Sequence, residues 1–217
     1  MYSALIVAAG GGTRMRLTYN KIFCEINSKA MLLYSIDRFL ADHEFTEVVV
    51  VHAPSEADAV KNLIGSRPIK LVPGGVTRQE SVRNGLQAIT NPIVFIHDAA
   101  RPNLRRADLD RLKAALQDGP ALTLGVKVKD TLKTVENGVI SGSIDRNTTY
   151  SLQTPQVFPT TAIREAHERL RDAPEPFTDD TSVYVAALGA DVLLVEGDYG
   201  NIKVTTMSDL KLLEDIL

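Results

Sequence analysis

The stretch LIVAAGGGTRM, residues 5–15, decides the fold of this chain, and Lys21 follows it. Its apolar first half predicts a buried parallel β-strand. The glycines after it allow a ligand to approach the backbone closely, and their N–H groups can surround phosphate oxygens. Arg14 and Lys21 add the positive charge that a polyphosphate attracts. We therefore expect a nucleoside triphosphate site at the carboxyl end of the first strand.

Two common phosphate-binding loops do not fit this stretch. The dinucleotide pattern G-x-G-x-x-G would begin at Gly10 and Gly12, but Met15 occupies the position of its third glycine. The ATPase pattern G-x-x-x-x-G-K-[ST] does not occur anywhere in the chain. The alternative for this stretch is a strand-to-loop turn that uses glycine for its geometry alone.

Length and charge narrow the class of protein. A chain of 217 residues with 44% hydrophobic content predicts a single α/β domain, residues 1–217. A net charge of −3 without a Lys/Arg-rich run argues against a nucleic-acid partner. Cys24 is the only cysteine, which excludes an intrachain disulfide and a Cys-rich zinc site. The N-terminus lacks a basic signal segment and its apolar run is too short for a bilayer, so we expect a cytoplasmic protein with no membrane partner.

Strand-like and helix-like segments alternate along most of the chain. Predicted strands cover residues 2–8, 46–52, 69–72, 93–96, 120–128 and 191–196, and predicted helices cover residues 31–42, 54–64, 78–89, 106–117, 159–171, 179–188 and 207–217. We expect Ser208 to cap the last helix. The alternation predicts the α/β class, with a mostly parallel twisted sheet and helices on both of its faces, as in Rossmann-like folds.

Residues 129–150 interrupt the alternation. Residues 131–135 alternate with the period of a strand, Glu136-Asn137-Gly138 reads as a tight turn, and Val139 and Ile140 continue the pattern. This predicts a projecting β-hairpin arm, of a kind that often pairs with a second subunit. The alternative is a hairpin that lies on its own sheet.

Further clusters follow later strands, where ligands of open α/β sheets bind. Gly74–Ser81 combines glycines with the first turn of a helix, although a simple glycine turn before a capped helix is the alternative. His97–Pro102 offers Asp98 directly after a buried strand; Asp98 can bind sugar hydroxyls or a metal, or it can form an ordinary ion pair with Arg101. We interpret His97 as a neutral, hydrogen-bonded histidine.

The last cluster, Gly200–Thr205, reads as the edge of a late strand and contains Lys203. Its alternation with Ile202 and Val204 suggests that Lys203 has an anionic partner, with a solvated edge lysine as the alternative. The clusters offer cations and small residues without an activated Ser-His or Cys-His pair. This combination favours phosphoryl or nucleotidyl transfer, in which positioning and charge stabilisation perform most of the catalysis.

The order of these motifs resembles that of the 2-C-methyl-D-erythritol 4-phosphate cytidylyltransferase family over essentially the whole chain. The matching motifs are residues 8–15 with Lys21, Gly74–Val82, His97–Pro102, Asp145-Arg146, Thr154–Gln156, Thr178–Asp180 and Asn201–Thr205. The resemblance implies a nucleotidyltransferase fold and transfer of a cytidylyl group from CTP to methylerythritol phosphate, with release of pyrophosphate. It also implies Mg²⁺ as cofactor, no protein metal ligand, in-line attack without a covalent intermediate, and a homodimer formed through the 129–150 arm.

The resemblance also assigns roles to residues. The catalytic group would comprise Arg14 and Lys21 at the α-phosphate and the leaving pyrophosphate, with Arg146 and Lys203 on the attacking phosphate. The nucleotide would lie against Ala8, Ala9, Gly10, Gly12, Gly75, Arg78, Ser81 and Ala99. The methylerythritol part would contact Asp98, Arg101, Thr131 and Thr178.

Two residues depart from the family pattern, and two other functions compete with the one implied. Asn20 stands where the family usually has proline, which we expect to loosen the loop that holds Lys21, and Val76 replaces a polar residue of some members. Ribitol 5-phosphate cytidylyltransferases are the nearest alternative, but they commonly differ at Ala100 and carry phenylalanine where this chain has Asn103. A non-catalytic nucleotide-binding module is the alternative from another class, and an oxidoreductase is disfavoured by Met15.

Overall fold

A computed structural model describes residues 1–10, 19–117, 119, 121–174 and 177–217. The strands in these ranges are β1 (Tyr2–Val7), β2 (Glu25–Ile26), β3 (Lys29–Ala30), β4 (Phe45–His52), β5 (Lys70–Pro73), β6 (Ile93–Asp98), β7 (Leu122–Lys127), β8 (Lys133–Glu136), β9 (Val139–Ser143), β10 (Tyr150–Pro159) and β11 (Leu193–Glu196). The helices are α1 (Met31–Leu40), α2 (Ala57–Ile64), α3 (Arg78–Leu86), α4 (Arg106–Ala115), α5 (Thr160–Arg169), α6 (Asp180–Leu188) and α7 (Met207–Glu214). None of the helices in the described ranges is both long and apolar enough to cross a membrane.

The main sheet has seven strands in the order β11-β7-β10-β6-β1-β4-β5. β1 lies between β4 and β6 and is parallel to both, and the pairs β4–β5 and β7–β11 are also parallel. Strand β10 runs antiparallel to its two neighbours, β6 and β7. The register places the ends of β1, β4 and β6 side by side, since Val7 is opposite both Val51 and Asp98. The predicted, mostly parallel α/β sheet is confirmed.

Helices cover both faces of this sheet because the strands are apolar on both sides. Alternate residues of β1 point to opposite faces: Ala4 and Ile6 pack with α1, α2 and α4, whereas Leu5 packs with α3, α5 and α6. A smaller cluster joins Ile26 and Met31 to Val204 and to α7. Burial on two faces explains the continuous apolar runs from which the strands were predicted.

Strand β10 was not predicted. Its sequence, YSLQTPQVFP, is polar at its centre and contains Pro155, which cannot donate a hydrogen bond to a neighbouring strand. The register with β7 shifts between Leu152 and Gln156, so the proline lies where the regular ladder is interrupted. Buried glutamine and threonine side chains in β10 bond to other polar groups instead of filling an apolar layer.

Two smaller predictions about local structure were wrong. Thr206, and not Ser208, caps the last helix: its hydroxyl accepts a hydrogen bond from Asp209 N, and the Asp209 carboxylate accepts one from Thr206 N. The segment Gly200–Thr205 is not a strand in the structure. Gly200 lies in a turn and Asn201 in a bend, and the remaining residues have no regular secondary structure. Val204 N joins this segment to Ala100 O at 2.8 Å.

Strands β8 and β9 form the predicted hairpin. Asn137 and Gly138 both have positive φ, 51° and 80°, as a tight hairpin turn of this kind requires. Among the strands of the described ranges, the two pair with each other and with none of the main sheet. Val135, Val139 and Ile140 are 59%, 68% and 66% exposed, so the hairpin carries unusually exposed apolar side chains.

Candidate active site

A cavity of about 310 Å³ opens at the carboxyl ends of the central parallel strands. It is lined by Val7, Ala8, Ala9, Gly10, Lys21, Ile22, Gly75, Val76, Thr77, Arg78, Ser81, Asp98, Ala100, Lys203 and Thr205. Three of the four predicted strand-end clusters contribute a charged side chain to it, namely Arg78, Asp98 and Lys203. The fourth charged side chain, Lys21, comes after the glycine-rich stretch that follows β1. Ligands of open α/β sheets bind at this edge.

The loop after β5 shapes one wall of the cavity. A Cβ atom at Gly74 would lie 2.6 Å from Ala9 Cβ and 2.8 Å from Ser81 Oγ, so only glycine fits between them. Ser81 Oγ accepts a hydrogen bond from Gly75 N and donates one to Thr77 O. Thr77 in turn caps α3 by accepting a hydrogen bond from Glu80 N. These contacts hold the loop closely against the end of β1.

Asp98 is the central anion of the cavity. One of its carboxylate oxygens, Oδ1, accepts hydrogen bonds from Arg78 Nε and Nη2 at 3.2 and 3.1 Å. The other, Oδ2, lies 2.5 Å from Lys203 Nζ. Burial alone would raise the pKa of Asp98, but the charges of Arg78 and Lys203 outweigh it and hold that pKa well below its usual range. Asp98 is therefore ionised at physiological pH.

Lys21 enters the cavity from the other side. It begins a single 3₁₀ turn, Lys21–Phe23, and its Nζ donates a hydrogen bond to Val204 O at 2.6 Å. This carbonyl belongs to the residue that follows Lys203, so Lys21 is bonded to the segment that carries Lys203. The alternation predicted for that segment holds, because Val204 is buried and Lys203 lines the cavity.

His97 and Arg101 support the site from behind its wall. His97 is fully buried, with Nε2 3.1 Å from Arg101 O and Nδ1 3.0 Å from Thr154 Oγ1. Burial lowers the pKa of His97 to about 4, so the ring is neutral at physiological pH, as expected. Arg101 does not form the suggested ion pair with Asp98; its guanidinium donates to Asn201 O and Leu152 O.

Several predicted site residues do not line this cavity. Thr131 and Arg146 are exposed in the 129–150 segment, and Thr178 is exposed just before α6. Ala99 is buried, and Ala100 lines the cavity beside it. Gly12 and Arg14 lie outside the described residues.

Three polar residues at the cavity or behind it received no role from the sequence patterns. Thr205 lines it directly, next to Val204. Asn20 was considered only as a departure, yet it is buried and precedes Lys21. Asp180 pairs with Arg78 at 2.8 Å but was noted only as part of a weak motif. Asp180 is 102 positions from Arg78, and no local pattern reveals a pair of that separation.

The described residues contain no group of three or more His, Cys, Asp or Glu side chains suited to a metal ion. Within the cavity, both oxygens of Asp98 are already paired with cations. A cage of protein ligands for Mg²⁺ is therefore not offered by this part of the chain. Mg²⁺ commonly keeps water and substrate phosphates as most of its ligands, and that mode needs no such cage.

The fold and the cavity define the class. Cations and small residues gather at one edge of a parallel sheet, and no histidine or cysteine is among the described lining residues. Such a site suits positioning and charge stabilisation of phosphates, the chemistry of an α/β nucleotidyltransferase. A model of the family described as IspD, 2-C-methyl-D-erythritol 4-phosphate cytidylyltransferase, matches residues 2–217. The chain belongs to this family.

Individual relatives agree with the family match. The 2-C-methyl-D-erythritol 4-phosphate cytidylyltransferase of Geobacillus kaustophilus is 40% identical over 222 residues, which cover 100% of this chain and 96% of the relative. Among solved structures, 4-diphosphocytidyl-2C-methyl-D-erythritol synthase from Anaerococcus prevotii has a TM-score of 0.86 at 27% identity, covering 100% of this chain and 97% of its own. The 2-C-methyl-D-erythritol 4-phosphate cytidylyltransferase from Thermus thermophilus has a TM-score of 0.81 at 31% identity, covering 100% and 98%.

Proposed function

We propose that this protein transfers the cytidylyl group of CTP to 2-C-methyl-D-erythritol 4-phosphate, giving CDP-methylerythritol and pyrophosphate. The observation that carries the proposal is the convergence of Lys21, Arg78 and Lys203 on one cavity beside the glycine-rich strand ends, in a chain of this family. A transfer between two phosphates brings many negative charges together, and three cations at one edge of the sheet offset them.

The bond changes follow from this arrangement. An oxygen of the methylerythritol phosphate attacks the α-phosphorus of CTP, and the bond from that phosphorus to the bridging oxygen of pyrophosphate breaks on the opposite side. The attacking phosphate is already ionised, so no general base is needed. The lining residues that are described supply no histidine or cysteine nucleophile, which supports direct transfer without a covalent intermediate.

We assign the charge at the reacting phosphorus and the leaving pyrophosphate to Lys21, together with Arg14. Lys203 and Arg146 hold the attacking phosphate. Lys21 and Lys203 support this division, because Lys21 bonds to Val204 O whereas Lys203, the residue before Val204, extends to Asp98. When a phosphate arrives, it competes with Asp98 for Lys203, and Asp98 keeps Arg78 as its partner.

The ligands then lie along the cavity wall. The nucleotide contacts Ala8, Ala9, Gly10, Gly12, Gly75, Arg78, Ser81 and Ala99, and the methylerythritol part contacts Asp98, Arg101, Thr131 and Thr178. The exposed position of Thr131, Arg146 and Thr178 means that these three reach a substrate only if the ligand or a second subunit extends towards them. Mg²⁺, held mainly by the triphosphate, would offset phosphate charge.

We further propose a homodimer. The chain forms one nucleotidyltransferase domain, residues 1–217, and its 129–150 arm contacts the second subunit. Val135, Val139 and Ile140 support this, since exposed apolar side chains grouped on one hairpin mark an interaction surface. In a dimer, Arg146 of one subunit would serve the cavity of the other. Because the substrates are phosphorylated metabolites, we place the reaction in the cytoplasm.

A substrate panel tests the activity. Purified protein is incubated with each of CTP, ATP, GTP and UTP, combined with methylerythritol phosphate or ribitol 5-phosphate, and pyrophosphate is measured. The expected result is release with CTP and methylerythritol phosphate and little with the other pairs. Release with ribitol phosphate alone would favour the ribitol enzyme, and CTP binding without release from any pair would favour a non-catalytic module.

A further inference from the structure

Arg78 is held by a second carboxylate that lies outside the cavity. Its Nη2 is 2.8 Å from Asp180 Oδ2 and 3.1 Å from Asp98 Oδ1, so one guanidinium joins two buried acids. The second oxygen of Asp180, Oδ1, is 3.2 Å from His167 Nε2. Both Asp180 and His167 are fully buried, and neither lines the cavity.

We propose that His167 and Asp180 form a positioning pair that holds Arg78, and through Arg78 the Asp98–Lys203 pair, in the geometry that the transfer reaction uses. Neither residue touches a substrate in this proposal. Both act through Arg78. The proposal deepens the function proposed above and rests on it for its kinetic part alone.

The carboxylate of Asp180 bonds to Arg78 and His167 and does not cap helix α6. Asp179, the residue before it, caps α6 by accepting a hydrogen bond from Ser182 N. The backbone N–H of Asp180 is bonded separately, to Gln156 Oε1 at 3.0 Å. Both carboxylate oxygens of Asp180 are thus left for Arg78 and His167. A carboxylate that is hydrogen-bonded through both oxygens cannot rotate, so it holds its cationic partner in one position. A carboxylate bonded through one oxygen can rotate about its Cβ–Cγ bond.

His167 acts as the hydrogen-bond donor in this pair. The ring nitrogen that faces a carboxylate carries a proton whether the ring is neutral or charged. Within the described residues, the other ring nitrogen, Nδ1, has no hydrogen-bond partner. Among the described residues, the hydrogen bond to Asp180 is the one polar contact of the His167 side chain. The ring is therefore well suited to orienting that carboxylate.

The pair also explains how three helices are connected to the site. His167 lies on α5, Asp180 begins α6 and Arg78 begins α3, and all three helices pack on the same face of the sheet. The order Lys203, Asp98, Arg78, Asp180 alternates in charge. Without Asp180, Asp98 would be the carboxylate left to Arg78 among the described contacts. Arg78 would then bind Asp98 more strongly and weaken the pair of Asp98 with Lys203.

Two substitutions at His167 separate a donor role from space filling. His167→Gln keeps an N–H donor at similar reach, and His167→Leu fills similar volume without one. We expect His167→Leu to lower kcat/KM for CTP about tenfold and His167→Gln to stay within about twofold of the unchanged protein. Asp180→Asn is expected to lose at least as much as His167→Leu. The double variant should be no worse than Asp180→Asn alone, because His167 acts through Asp180.

A matched control removes a neighbouring core side chain. Ile163 is fully buried on α5, one turn before His167, and contacts apolar residues. Ile163→Ala should lower the free energy of unfolding while leaving kcat/KM of the folded protein within about twofold. If Ile163→Ala and His167→Leu lower kcat/KM equally at equal loss of stability, general loosening explains both and the positioning role is wrong.

A measurement without substrate keeps the inference separate from the activity. The Nε–H proton of Arg78, identified by its loss in Arg78→Lys, is followed by NMR hydrogen exchange. We expect His167→Leu and Asp180→Asn to speed its exchange at least tenfold, and His167→Gln to leave it near the original rate. Unchanged exchange in both variants would overturn the proposal. If the exchange rates change as expected but the protein shows no cytidylyl transfer, the proposed function is wrong. The positioning pair is then still supported, because the exchange measurement does not depend on activity.

Discussion

At the scale of single residues, Asn20 shows how a departure from a family pattern can be compensated. Asn20 is buried; its Nδ2 donates to Ala8 O at 3.1 Å and to Glu56 Oε2 at 2.9 Å. Its Oδ1 accepts a hydrogen bond from Ile22 N and so caps the turn that begins with Lys21. The loosening expected from the loss of proline is not what these contacts indicate. Asn20 ties Lys21 to the end of β1.

Asn20→Asp is expected to weaken this connection. The change replaces the amide donor by an oxygen that faces Ala8 O and the Glu56 carboxylate. We expect a loss of about 1–3 kcal/mol in the free energy of unfolding, with lower turnover because Lys21 moves. Urea unfolding and steady-state kinetics measure both effects. Adding Glu56→Gln, which supplies a donor to the new carboxylate, should restore part of the stability. Stability equal to that of the unchanged protein would contradict this account of Asn20.

Lys21→Ala is expected to lower kcat by about 100-fold or more, since it removes a charge aimed at the developing negative charge. The circular dichroism spectrum and the oligomeric state should not change. Lys61→Ala is the matched control, because Lys61 is an exposed lysine on α2 with no place in the cavity. Equal activity of the two variants would exclude Lys21 from the catalytic group.

The sequence predicts the charged residues of the cavity because each follows a recognisable strand or glycine loop. Asp98, Lys21 and Lys203 were all found in this way. Asp180 and His167 were not, because their role depends on α5 lying against both α3 and α6, and no local pattern encodes that packing.

At the scale of elements, β10 and β4 mark what local patterns can and cannot predict. β4 is a run of valines buried on both faces, so its identity as a central parallel strand follows from its composition. β10 occupies a central place with buried polar side chains, and it runs antiparallel to both of its neighbours. A propensity argument cannot assign such a strand, since its partners β6 and β7 lie far earlier in the chain.

The opposite end of the sheet contains a polar network around Glu47 of β4. Its buried carboxylate accepts hydrogen bonds from Ser3 Oγ on β1, from Lys70 Nζ on β5, and from the N–H and hydroxyl of Thr90. Burial by itself would raise the pKa of Glu47, but Lys70, Ser3 and Thr90 outweigh it and lower that pKa from 4.5 to about 2. The network ties together β1, β4 and β5.

A pH titration of stability tests this network. A carboxylate whose pKa is lower in the folded protein stabilises the fold above its unfolded pKa, and that contribution disappears as the pH falls from about 4.5 to about 2. The shift corresponds to roughly 3 kcal/mol. Glu47→Gln should lower the urea midpoint at pH 7 and flatten its dependence on pH below 4.5. Glu214→Gln, at an exposed position of α7, should do neither, and a Glu47→Gln profile parallel to the original would contradict the assignment.

At the scale of the whole molecule, only some of the proposed site residues that the structure describes line the cavity of their own chain. Lys21, Arg78 and Lys203 line the cavity, whereas Arg146 and Thr131 are exposed near the apolar hairpin. The sequence predicts the hairpin from its turn and alternation, but neither the sequence nor a single chain determines which cavity its residues serve. If the proposed homodimer brings Arg146 to the partner's cavity, dimerisation contributes to function as well as to stability.

Mixing inactive subunits tests the sharing of sites. Arg146→Ala and Lys203→Ala chains with different tags are unfolded together, refolded and separated, so that heterodimers are isolated. If Arg146 serves the partner's cavity, each heterodimer has one intact site out of two, and we expect about half of the original turnover per dimer. Heterodimers as inactive as both parents would show that Arg146 acts within its own chain, and an active Arg146→Ala parent would show that Arg146 has no role in the transfer.

The most direct test of the central claim is phosphorus NMR of the complete reaction with CTP and methylerythritol phosphate. Attack at the α-phosphorus predicts that the CTP signals are replaced by pyrophosphate and by the two coupled phosphorus signals of a cytidine diphosphate ester, in equal amounts. Variants at Lys21 should slow both changes together. Formation of CDP with a doubly phosphorylated polyol would show transfer of the γ-phosphate instead, and would contradict cytidylyl transfer at this site.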